Sequence, residues 1–146
     1  FATGRYMRYP QLQHAFEIDD VCGIVRLNYE QKVKFYNGDD QLSAGLHLHC
    51  TGGHSAGLQF VSVHTKRGWV VLASDASHYY EHMESYRPFT IAFHVGEMME
   101  SFDKLKKTAP SLSHIIPGHD PRVMEKYPAV EGQDGLMVRL DESPKE

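Results

Sequence analysis

The chain has 146 residues and a formal net charge of −4, with apolar and aromatic content ordinary for a globular protein. That size supports one hydrophobic core, so one domain or part of one is expected. The mild acidity argues against a nucleic-acid partner, and no apolar run reaches the ~20 residues that span a bilayer. No secretory leader is visible and the first residue is Phe1, so the expectation is a cytoplasmic protein whose preceding segment lies outside this sequence. Two cysteines, Cys22 and Cys50, lack a metal-binding spacing and are read as free thiols.

Phe1 to Pro10 mixes Tyr6, Met7 and Tyr9 with arginines without a clean period, which reads as a loop or broken helix. Its aromatics suit a core contact, a subunit interface of a homodimer, or the wall of an apolar pocket. Gln11 to Asp20 allows a short helix, and Val21 to Leu27 is an apolar run too short to assign. Alternation predicts a strand at Val33 to Tyr36, followed by a turn at Asn37-Gly38-Asp39-Asp40. Leu46 to Cys50 and Leu58 to Thr65 read as strands around the turn Thr51-Gly52-Gly53-His54-Ser55-Ala56-Gly57. Lys66-Arg67-Gly68 then joins Leu58–Thr65 to Trp69–Ser74 as a hairpin.

His78 to Tyr86 is a short helix or loop. Val95, Met98, Met99, Phe102 and Leu105 recur at three- and four-residue steps, with Glu97, Glu100, Asp103, Lys104 and Lys107 opposite them. That pattern is an amphipathic helix with its methionines in the core. Pro110 stops it, and His114 to Pro117 is the next strand. Pro121 to Lys126 starts another helix with Asp120 as a candidate N-cap, Leu136 to Leu140 reads as an edge strand, and Asp141 to Glu146 as a frayed tail. Strand pairs followed by helix, strand and helix indicate an α/β layered domain.

Three strand ends present chemistry. A glycine turn lifts His54, the strand Gly68-Trp69-Val70-Val71-Leu72-Ala73-Ser74 runs into Asp75, and His114-Ile115-Ile116-Pro117-Gly118 runs into His119. Two imidazoles and a carboxylate suit zinc or a similar ion. The order TGGHSAG, LASDAS, IIPGHD resembles the C-terminal half of a metallo-β-lactamase-fold hydrolase, and within that superfamily the N-acyl-homoserine lactonase group. The similarity runs from about Tyr6 to Tyr127. It implies that residues 1–146 are the C-terminal part of one αββα sandwich, with one apolar sheet face left for the rest of that domain. The superfamily's upstream His-x-His-x-Asp-His motif is absent; His47-Leu48-His49-Cys50 shares its first spacing only.

The resemblance further implies a hydrolase that opens a lactone ring, quorum quenching as its setting, and two divalent metal ions, zinc foremost, with iron, manganese or cobalt as alternatives. Carried over residue by residue, Asp75 bridges both metals and passes a proton to the leaving alkoxide, His54 serves the first metal and His119 the second. The lactonases place a carbonyl-binding tyrosine where this chain has His78, and Tyr79 follows one position later. Tyr79 is the favoured donor, because a neutral phenol suits a developing oxyanion better than an imidazole. Other readings stay open at this point: a turn-capping His54, an Asp75 that caps a helix, or an exposed loop His119. Other functions on the same fold are a thioesterase of glyoxalase II type, or a non-catalytic binding module that has lost the upstream motif.

Overall fold

Glycine turns and alternating apolar residues build a five-stranded sheet in the order β1-β2-β3-β4-β5. The strands are β1 (Asp40–Ser43), β2 (Leu46–Cys50), β3 (Gln59–Thr65), β4 (Gly68–Ser74) and β5 (Ile115–Pro117). The first four form an antiparallel meander, whereas β5 lies parallel to β4. Parallel pairing needs a long crossover, which α3 (Tyr80–Ser85) and α4 (Val95–Thr108) supply; α5 (Arg122–Lys126) follows β5. The computed structural model describes residues 2–145, which divide into two units with the boundary between Tyr36 and Asn37.

The second unit owns the core. On one sheet face, Val71, Ala73 and Ile115 are fully buried with Met98, Phe102 and Leu105 of α4 and with Tyr80 and Met83 of α3. The three- and four-residue steps in α4 place those side chains on one stripe. His94 caps the helix, its Nδ1 accepting from Glu97 N at 3.1 Å, and Lys106 and Lys107 complement the dipole at the other end. The opposite face is less complete. Val70, Ile116 and Tyr127 form a second small cluster there with Leu72, Val138 and Leu140 at its rim. Beside it runs a groove of about 490 Å³ lined by Leu48, Val61, Leu72 and Ile116.

Several elements differ from the sequence expectation. Val33 to Tyr36 forms no strand; its alternation is met locally, with the Lys34 ammonium over the Tyr36 ring, and the first strand comes later at β1. The unassigned run is part of a helix, α2 (Ile18–Tyr29), with Asp19 and Asp20 in its first turn and Arg26 in its last, as the dipole favours. Gly23 in its middle weakens the propensity signal. A four-residue helix, α1 (Pro10–Gln13), precedes it. Leu136 to Leu140 contributes one isolated bridge, Ala129 to Val138, instead of an edge strand.

Candidate metal centre

Asp75 leaves β4 through an unusual backbone. Ser74 adopts φ 48, a left-handed conformation uncommon for a residue with a Cβ, and the β4–β5 register shifts between Leu72 and Ser74. Such strain concentrates where a side chain must be re-aimed. Gly118 lets the chain after β5 press against this point, since a Cβ there would lie 2.6 Å from the Ser74 carbonyl oxygen. Two backbone hydrogen bonds then clamp the loops together: Gly118 N donates to Ser77 O (3.0 Å) and His119 N to His78 O (2.9 Å). Asp120 is buried and secures the neighbouring helices, its Oδ2 accepting from Tyr80 N and its Oδ1 from Arg122 N, both at 3.0 Å.

His54 arrives from the β2–β3 turn. Gly52 (φ 75) and Gly53 (φ 88) occupy the left-handed region, and a Cβ on Gly53 would sit 2.7 Å from the Met98 backbone. The turn therefore lies directly on the start of α4, with His94 N donating to Gly53 O at 2.9 Å. His54 Nδ1 donates to the Ile91 carbonyl at 2.8 Å, since a carbonyl can only accept. Its Nε2 is thereby left with a free lone pair, the arrangement metal-binding histidines adopt.

These paths converge. Ligand atoms of His54, Asp75 and His78 lie within 4.8 Å of one another. Small movements bring that span to the roughly 3.3–3.4 Å that separates two donors each about 2.0–2.1 Å from a tetrahedral ion. His119 Nε2 donates to Asp75 Oδ1 at 2.7 Å. His78 Nε2 stands 3.3 Å from the same oxygen without hydrogen-bond alignment, and it is buried with no hydrogen-bond partner. The His78 ring stacks on Phe89 at 3.7 Å and meets His119 edge-on at 4.6 Å. Burial, then the charges of His119, His54 and His82, depress the His78 pKa against the pull of Asp75, which favours the neutral imidazole that can bind a cation. A buried nitrogen lacking a partner beside a carboxylate and a second free imidazole fits a divalent ion.

The structure thus gathers His54, Asp75, His78 and His119 at one place. Tyr79 is 44 % exposed, with its ring edge-on to His82 at 5.2 Å and its N–H directed at His82 Nδ1. Asp75 does not cap a helix; α3 begins at Tyr80, five residues on. Sequence reasoning missed Phe89 and the Ile91 carbonyl, which fix the rings of His78 and His54. They lie in an irregular stretch after Pro88, where no periodicity marks them.

No family model matches the chain. It is 33 % identical over 114 residues to N-acyl homoserine lactonases from Bacillus sp. and Bacillus cereus, covering 77 % of this chain and 44 % of theirs. The chain therefore spans less than half the length of these relatives. Among solved structures it is similar to an N-acyl homoserine lactone hydrolase with the product N-hexanoyl-L-homoserine bound at its catalytic metal centre. That likeness has a TM-score of 0.58 and 32 % identity, over 63 % of this chain and 37 % of the other. The dizinc quorum-quenching lactonase AidC superposes with a TM-score of 0.57 over 78 % of this chain and 39 % of its own; at 17 % identity this bears on the fold alone.

Proposed function

We propose, on the premise that this chain is a homologue of the N-acyl homoserine lactonases with their metallo-β-lactamase fold, that it forms part of a metal-dependent hydrolase opening an N-acyl homoserine lactone or a related lactone. The gathering of His54, Asp75 and His78 within 4.8 Å of one another, with His119 hydrogen-bonded to Asp75 Oδ1 at 2.7 Å, carries this reading. Divalent ions held there, zinc foremost because it accepts mixed imidazole and carboxylate donors, would supply Lewis acidity and a water acidic enough to ionise near neutral pH.

The chain's own residues do the rest. Asp75 would share its carboxylate between the cations and carry a proton from the attacking water to the departing alkoxide; its Oδ1 already meets two imidazoles, those of His78 and His119. His54 is oriented by its Nδ1 hydrogen bond to the Ile91 carbonyl, and His119 is held by its backbone bond to the His78 carbonyl. Geometry supports these three more directly than Tyr79, whose phenol must swing off His82 to meet a carbonyl oxygen. On this reading residues 1–146 are the C-terminal part of one αββα domain, and the grooved sheet face is where the remainder rests. No helix among the described residues is long and apolar enough to cross a membrane.

The test is ring opening of N-hexanoyl-homoserine lactone by the metal-loaded, full-length protein, followed by proton release. Asp75→Asn should lower kcat by at least about 100-fold at unchanged fold, because an amide neither balances two cations nor relays a proton. Near-native turnover by a folded, metal-replete variant refutes the bridging role.

A further inference from the structure

We propose that His78 is itself a metal ligand, joining His54 and Asp75 around one ion; this rests on the metal-centre reading above and adds a donor at the position where the lactonase resemblance puts a carbonyl-binding tyrosine. The spacing carries the argument. Two donors about 2.0–2.1 Å from a tetrahedral ion stand roughly 3.3–3.4 Å apart. His78 Nε2 and Asp75 Oδ1 are 3.3 Å apart without hydrogen-bond alignment. His119 Nε2, at 2.7 Å from the same oxygen, is at hydrogen-bond distance instead. Of the two imidazoles beside Asp75, His78 has the separation of a co-ligand, and His119 holds the carboxylate from outside this ion's shell.

The side chain is also prepared for the role. Its Nε2 is buried with no hydrogen-bond partner, an arrangement that is costly unless something accepts the lone pair. The ring cannot turn away easily, because it is stacked on Phe89 at 3.7 Å with an interplanar angle of 19°. Its backbone is fixed as well, the His78 carbonyl accepting from His119 N. His54 contributes the third donor through the Nε2 left free by its Nδ1 bond to Ile91. Three protein donors around one divalent ion leave a fourth position for water, the composition of an open zinc-type site. The set lies wholly between the β2–β3 turn and the loop that joins β4 to α3.

Cobalt(II) titration of the full-length protein reads this directly through the visible d–d bands of the bound ion. The unsubstituted protein should bind cobalt. His78→Phe keeps the stack on Phe89 but removes both nitrogens, and it should weaken binding by at least about tenfold, with Tyr79→Phe unchanged. If His78→Phe binds like the parent while His54→Ala and Asp75→Asn lose the ion, the proposal fails and the metal centre stands. If all three bind like the parent, or the parent binds none, the metal centre fails with it. A variant-free arm covers misfolding. In ¹⁵N-histidine spectra of the unsubstituted protein, zinc(II) should move His78 Nε2 to the metal-bound range, and a resonance that stays at its neutral free-ring position overturns the proposal.

Discussion

Val71, Ala73 and Ile115 lie on one side of the sheet and are fully covered by α3 and α4, whereas Leu72 and Val61, on the other side, remain half-buried beside a groove of about 490 Å³. Strand β4 supplies residues to both sets, because neighbouring residues in a strand face opposite ways. The difference shows that helix α4 is the completed partner of this sheet and that the candidate metal centre hangs from the completed side. The turn bearing His54 rests on the start of α4, and the loop bearing His78 runs directly into α3.

Removing a side chain from each face tests that contrast. Phe102 is fully buried in α4, and Phe102→Ala should cost about 3–5 kcal/mol in urea unfolding. Leu72→Ala removes a half-buried side chain at the groove and should cost under about 2 kcal/mol. Equal losses would mean that the two faces are equally packed in solution.

A smaller effect probes how the covered face aims His54. Gly53→Ala meets two obstacles: a left-handed φ of 88 and the Met98 backbone 2.7 Å from the new Cβ. The conformation alone costs about 1–2 kcal/mol for an ordinary residue, and the close contact adds to it. Gly57→Ala, where nothing lies within 4 Å of a new Cβ, serves as the control and should be nearly neutral. If Gly53→Ala unfolds at the same urea concentration as Gly57→Ala, the turn is not seated on α4 as described.

The sheet was largely legible because its signals are local. Leu46 to Cys50, Leu58 to Thr65 and Trp69 to Ser74 alternate or run apolar between glycine turns, and the α4 stripe repeats over three turns. What the sequence hid was decided by contacts between distant segments. Val33 to Tyr36 alternates as a strand should, yet the residues that pair with β2 are Asp40 to Ser43, exposed and without a β signature. At the centre, glycine and strand-end patterns marked His54, Asp75 and His119. The position of the His78 ring beside Asp75 was not legible, because it depends on the left-handed Ser74 and on Phe89, eleven residues beyond His78, stacking on that ring.

The smallest expected effect is a pH dependence that belongs to the covered face. His49 of β2 stacks on Phe60 at 4.7 Å, shares a 2.8 Å hydrogen bond with Ser62 Oγ, and has a side chain only 14 % exposed. Burial depresses its pKa, helped by the charges of Lys104 and His47 and opposed by Asp39. Burial pushes Asp39 up, yet its hydrogen bonds from Lys104 and the Cys50 N–H hold its carboxyl below the usual range, so it stays ionised near neutrality. Because the folded His49 pKa lies below the unfolded value, the unfolded chain binds the proton more readily. The resulting stabilisation is complete above about pH 6.5 and is lost as the pH falls through the folded pKa. Thermal unfolding should therefore show the native chain losing stability between about pH 7.5 and pH 5.5, and His49→Gln losing less over the same interval. Only the slope is diagnostic, since the substitution also removes the stack on Phe60. An unchanged slope would show that His49 is as solvated in the folded chain as in the unfolded one, and that the covered face is open at the β2 end.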